Sequence, residues 1–149
     1  MAGARILWVD DDARGLLSGI ASDVRKCGCT VETAIDFNGA MSHIALAQAQ
    51  DRKFVSLLAD VVLPRGKGNA GLTRYLGVNL VTPAVQSGIY TIAFLTVIPW
   101  QELGSRVTEL RREHVGLNVE YFSKTHMLDK GAMSELGNYL KVTCKGKQK

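Results

Sequence analysis

The sequence predicts an α/β protein built on a doubly wound, five-stranded parallel sheet, and three observations predict it. Short apolar runs of strand length recur: Ile6-Leu7-Trp8-Val9, Val55-Ser56-Leu57-Leu58-Ala59, Ile92-Ala93-Phe94-Leu95 and Val119-Glu120-Tyr121-Phe122-Ser123. Between them lie longer stretches with apolar residues at helical spacing, the pattern of strands joined by crossover helices. Each run ends on an oxygen-bearing or cationic residue: Asp10-Asp11-Asp12, Asp60, Thr96 and Lys124. In a sheet of order 2-1-3-4-5 those ends converge on one crevice beyond the carboxyl ends of the strands.

Strand one is expected over Arg5 to Val9, followed by a helix whose inner face carries Leu17, Ile20, Val24 and Cys27, with Gly28 as its C-cap. Cys29 to Ala34 reads as strand two. Asp36 or Asn38 caps the next helix, which turns Met41, Ile44 and Ala45 inward. Lys53 to Ala59 is strand three, almost continuously apolar as a buried central strand should be. The loop Leu63-Pro64-Arg65-Gly66-Lys67-Gly68-Asn69 comes next, and Leu72, Leu76 and Leu80 predict a third helix from about Ala70. Thr82-Pro83 marks a second short helix in that connection. Tyr90 to Leu95 is strand four; Pro99 opens a helix with Leu103, Val107 and Leu110 on its apolar line. Asn118 to Phe122 is strand five, and Leu128, Ala132, Leu136 and Leu140 mark the last helix. One domain is expected over residues 1–141, with a basic, disordered tail at 142–149.

The chain has 149 residues, enough for one hydrophobic core without staples. No apolar run approaches the roughly 20 residues that span a bilayer, and the N-terminus lacks the long apolar segment of a secretory signal. A cytoplasmic location is expected. The net charge of +4 lies in the tail, where Lys141, Lys145, Lys147 and Lys149 occur without an acid. Arg106, Arg111 and Arg112 share one helix and read as a solvated face, so nucleic acid is not expected as a partner. Cys27, Cys29 and Cys144 lack the spacing of a zinc site and read as reduced thiols.

Clustered carboxylates repel one another unless a cation sits among them, and hard oxygen ligands suit magnesium. Asp11 and Asp60 are the preferred direct ligands, with Asp10 bound directly or through water and the Val62 backbone carbonyl as a further oxygen. A metal on one side and the Lys124 ammonium on the other would let a phosphoryl group transfer onto Asp60, with Thr96 donating to a phosphoryl oxygen.

Taken together these residues resemble the receiver domain of bacterial two-component response regulators, a flavodoxin-like fold. The resemblance rests on Leu7-Trp8-Val9-Asp10-Asp11-Asp12, on Leu58-Ala59-Asp60-Val61-Val62-Leu63-Pro64 with Gly68, on Phe94-Leu95-Thr96, and on Tyr121-Phe122-Ser123-Lys124. It implies that Asp60 is the phosphoacceptor, Asp10 and Asp11 hold magnesium, Thr96 and Lys124 sense the phosphoryl group, and Tyr121 changes rotamer on activation. It implies a stand-alone, non-enzymatic signalling protein whose partners are a histidine kinase or phosphotransfer protein. A downstream protein would dock on the face of helix four, strand five and helix five, and a homodimer is an allowed assembly. Thr125 stands where the family usually has proline, Val97 exceeds the usual small residue, and the connections flanking Thr96 are long. These departures motivate an alternative, a receiver-like interaction or dimerisation module that works without phosphorylation.

Overall fold

Apolar runs bounded by polar residues become strands because a parallel sheet covered on both faces must present apolar side chains in both directions. The computed structural model describes residues 4–11, 18–66, 69–124 and 130–146. Its strands are β1 (Arg5–Val9), β2 (Thr30–Ala34), β3 (Ser56–Ala59), β4 (Leu63–Gly66), β5 (Asn69–Thr73), β6 (Thr91–Thr96) and β7 (Asn118–Ser123). Its helices are α1 (Ser18–Lys26), α2 (Phe37–Ala49), α3 (Val81–Gln86), α4 (Trp100–Glu113) and α5 (Lys130–Gly146), with a 3-10 turn at Leu76–Leu80. The main sheet is parallel in the order β2-β1-β3-β6-β7, which is 2-1-3-4-5 among its own strands.

Alternate strand residues feed two cores. Leu7, Val9, Leu57, Ala59, Ile92 and Phe94 face one layer with Ile44 of α2, Leu80, and Leu103 and Val107 of α4. Ile6, Trp8, Leu58, Ala93 and Leu95 face the other, with Val24 of α1 and Leu136 and Leu140 of α5. Trp8 and Phe94 are fully buried, so each layer has a large aromatic at its centre.

Helix ends follow their local chemistry. Asp36 caps α2 by accepting from Gly39 N at 2.6 Å. Gly28 follows α1 at φ +91°, a left-handed conformation that glycine adopts without penalty. Ala40, Ile44 and Ala47 form the buried line of α2, whereas Ala45 is exposed.

The connection after Asp60 departs from the expected helix. β4 and β5 pair antiparallel, Leu63 with Thr73 and Pro64 with Leu72, so Leu72 lies in a hairpin. Gly66, Gly68 and Gly71 lie in or beside that segment, and glycine in a helix interior costs about 1 kcal/mol. Leu76 and Leu80 remain buried, but in the 3-10 turn. The short helix expected at Thr82-Pro83 is α3. The hairpin packs against the start of α2: a Cβ on Gly66 would lie 2.5 Å from Asn38 Nδ2.

Two further corrections concern the ends. α5 continues to Gly146 with Cys144 fully buried, so residues 142–146 are helical where a tail was expected. Leu136, Leu140 and Cys144 continue one four-residue apolar line, which carries the helix past Leu140. Cys144 is joined to Cys29 in a disulfide, and Cys27 is the free cysteine, in place of three reduced thiols. Among the described residues no helix is long and apolar enough to cross a membrane.

Alkylation of the unfolded, unreduced chain is expected to add one label, at Cys27, and reduction should raise the count to three. Intact mass checks this, and three labels before reduction would contradict the pairing.

Candidate functional site

The register of the sheet assembles the site. Val9 pairs with Ala59, so the next residues, Asp10 and Asp60, stand side by side. The ladder extends past both strands: Asp60 N donates to Val9 O at 2.8 Å and Asp10 N to Ala34 O at 2.9 Å. Thr96 pairs with Ser123 at the end of the β6–β7 ladder, which places Lys124 one residue beyond. Both acids are buried, Asp10 at 0% exposure and Asp60 at 5%, and Thr96 is at 0%.

Lys124 reaches across β6 to both acids. Its Nζ lies 2.7 Å from Asp60 Oδ2, to which it donates, and 2.7 Å from Asp10 Oδ2. The other Asp60 oxygen accepts from Val62 N at 3.1 Å. Asp11 stands exposed at the rim. Oxygens of Asp10, Asp11 and Asp60 lie within 4.8 Å of one another. One ammonium against three carboxylates leaves two negative charges, which a divalent cation would cancel. The acidic cluster therefore suits a divalent metal.

Burial pulls the Lys124 ammonium toward deprotonation, but its hydrogen bonds to Asp10 and Asp60 outweigh that and hold its pKa above the ordinary 10.5. Its stabilising contribution is complete below that value and is lost as pH rises through the higher folded-state pKa.

Thr96 turns its hydroxyl to its own loop, accepting from Ile98 N at 3.3 Å. Tyr121, half-buried, donates from its hydroxyl to Ile98 O at 2.7 Å. Trp100 stands against it edge-on, ring centroids 5.5 Å apart, and lies back over Gly104, where a Cβ would come within 3.2 Å of the indole. Val97 points to solvent at 56% exposure. Asp12, Gly68 and Thr125 lie outside the described residues. Of the arginines on α4, Arg106 lies over the Tyr75 ring and Arg111 donates to Val119 O, so their heads are engaged on the protein itself.

Gly77 lies against the Asp60 peptide, Trp100 against Tyr121, and Tyr75 meets Glu102, and none of the four carries a signal in motif or spacing. Glu102, in the first turn of α4, accepts from Arg74 Nε at 2.6 Å and from the Tyr75 hydroxyl. The Tyr75 hydrogen bond, then that of Arg74, holds the Glu102 carboxyl below its ordinary pKa.

No protein-family model and no curated protein matches this sequence. Its fold does match. The receiver domain of the Francisella response regulator 1452 aligns with TM-score 0.61 at 16% identity, covering 97% of this chain and 98% of that one. The chemotaxis response regulator CheY4 of Vibrio cholerae aligns with TM-score 0.59 at 21% identity over 93% of this chain and 98% of its own. The chain has the receiver fold. A response regulator from Burkholderia pseudomallei, solved with a phosphorylated aspartic acid, a calcium ion and citrate, shares it at TM-score 0.57 and 18% identity, over 91% of this chain and 72% of that one. The β4–β5 hairpin and 3-10 turn here fill the part of the connection from Asp60 to Thr96 where the spacing of Leu72, Leu76 and Leu80 predicts a helix, ahead of the short helix α3.

Removing the Lys124 head leaves two buried carboxylates with no shared counter-charge. Lys124→Ala is expected to lose about 3 kcal/mol in metal-free buffer at neutral pH. Urea unfolding checks it, and a loss under about 0.5 kcal/mol, typical of an exposed ion pair, would contradict it.

Proposed function

We propose that this chain is a phosphoacceptor of two-component signalling, with Asp60 as the acceptor and a histidine kinase or phosphotransfer protein as donor. The observation that carries the reading is the Lys124 ammonium 2.7 Å from both buried acids, Asp10 and Asp60, with Asp11 at the rim of the same cluster. A carboxylate oxygen of Asp60 attacks the phosphorus of the donor phosphohistidine. The P–N bond breaks, its electron pair stays on the imidazole nitrogen, and that nitrogen takes a proton from solvent. Magnesium, held by Asp10, Asp11, Asp60 and the Val62 carbonyl, would supply the charge neutralisation that lets an anionic group approach these acids.

Lys124 then moves from the carboxylate to a phosphoryl oxygen, and the Thr96 hydroxyl, already at the pocket end of β6, turns to another. That turn releases Ile98 N and so disturbs the loop whose carbonyl Tyr121 holds. Tyr121 and the α4–β7–α5 face report the state to a downstream protein. The reading locates the chain in the cytoplasm. It extends the signalling domain over the described fold, with residues 147–149 as the basic end. A second reading, a module that binds its partner without phosphorylation, is favoured by the hairpin that follows the acceptor in place of a helix. Equal partner binding by wild type and Asp60→Asn, with and without phosphodonor, would select it.

Acetyl phosphate with magnesium is expected to add one phosphoryl group to wild type and none to Asp60→Asn, by intact mass. Equal labelling of the two, or no labelling, counts against Asp60. Val62 and Ile98, two residues after Asp60 and Thr96 in the sequence, are apolar and offer no side-chain group to orient water. The phosphoryl-aspartate should therefore persist for minutes or longer, and decay within seconds would contradict this.

A further inference from the structure

The loop that carries Asp60 is bound to α4 by a route separate from Thr96 and Tyr121. It begins at Gly77, which lies so close beneath the acceptor that a Cβ would fall 1.8 Å from Asp60 O and 2.9 Å from Val61 Cα. Gly77 N also donates to Val61 O at 2.9 Å. Backbone against backbone, the two segments have no compliant side chain between them, so displacing one displaces the other.

Two residues before Gly77, Tyr75 has φ +68°, a left-handed conformation that strains a bulky residue. What over-determines it is contact with α4. Its hydroxyl donates to Glu102, Arg74 joins the same carboxylate with Nη2 at 2.5 Å, and the Arg106 guanidinium lies 3.9 Å above its ring. Tyr75 also packs against the buried core to which Val61 and Leu76 belong. Glu102 and Arg106 sit one turn apart on α4, and the helix begins four residues after Thr96.

We propose that Tyr75 and Glu102 are positioning residues of the acceptor site, forming a clamp that ties the Asp60 loop to the first turn of α4 and opposes phosphorylation. The proposal rests on Asp60 being the acceptor. In the conformation described, Lys124 lies directly on Asp60 Oδ2, so a phosphoryl group on that oxygen must separate them. The Thr96 loop that borders it leads into α4, and a helix held by Tyr75 resists that shift. Opening the clamp removes the resistance, so phosphoryl analogues should bind a clampless protein more tightly. Gly77 transmits the effect, and Tyr75 and Glu102 set its size.

The test is a titration of the full chain with beryllofluoride in saturating magnesium, followed by intrinsic fluorescence, well below each variant's Tm. Glu102→Gln and Tyr75→Phe are expected to lower the midpoint about five-fold or more, the span of an ordinary coupling between sites. The midpoint for magnesium alone should not move, nor should either midpoint in Glu109→Gln, an exposed change on the same helix. A clamp that served stability alone would lower Tm and leave the beryllofluoride midpoint where it was. An unchanged or raised midpoint in both variants, with wild type responding, overturns this proposal alone. Wild type and Asp60→Asn both failing to respond would sink the acceptor reading and this one with it. If Glu102→Gln does not fold, Tyr75→Phe, which loses only a hydroxyl, decides the matter.

Discussion

Two carboxylates forced into one buried corner set the terms for the rest of this molecule. Asp10 and Asp60 are adjacent because β1 and β3 pair in a register that matches Val9 with Ala59. A slip of one residue would turn the slipped strand's side chains over, leaving the two acids on opposite faces of the sheet. Taking either charge out of water costs several kcal/mol, and their mutual repulsion adds to it. Lys124 offsets part of that cost from the far edge of the sheet, so β7 must end level with β3 and β6 must lie between them. The remaining negative charge makes the corner receptive to a divalent metal.

The wall opposite the lysine is built differently. Where regular helix would have placed side chains against the Asp60 loop, the chain folds a hairpin and then brings Gly77 up to the peptide of Asp60 itself. The surrounding residues hold this unusual approach: Leu76 and Leu80 anchor the turn in the core, and Tyr75 ties it outward to α4. Asp60 is thus held by sheet register on one side and by direct backbone packing on the other.

Much of this was legible in the sequence, for identifiable reasons. A buried parallel strand has little choice but to be apolar, so β1, β3, β6 and β7 announced themselves, and their ends marked Asp10, Asp60, Thr96 and Lys124 as neighbours. Asp36 and Gly28 declared helix ends because their roles are local. The hairpin escaped because Leu72, Leu76 and Leu80 keep helical spacing while glycines and a left-handed Tyr75 interrupt the helix between them. Tyr75 and Glu102 were invisible for another reason: they lie 27 residues apart and meet only once the fold is complete. Cys144 could have been added to the α5 line, since it follows Leu140 at the same interval, but its bond to Cys29 depends on tertiary proximity that no spacing encodes.

That bond joins positions 115 residues apart. In its oxidised form the polypeptide between the two sulfurs is closed into a ring. A single peptide cut anywhere between the two sulfurs would open a gap without releasing a fragment, and old and new termini would still travel as one molecule.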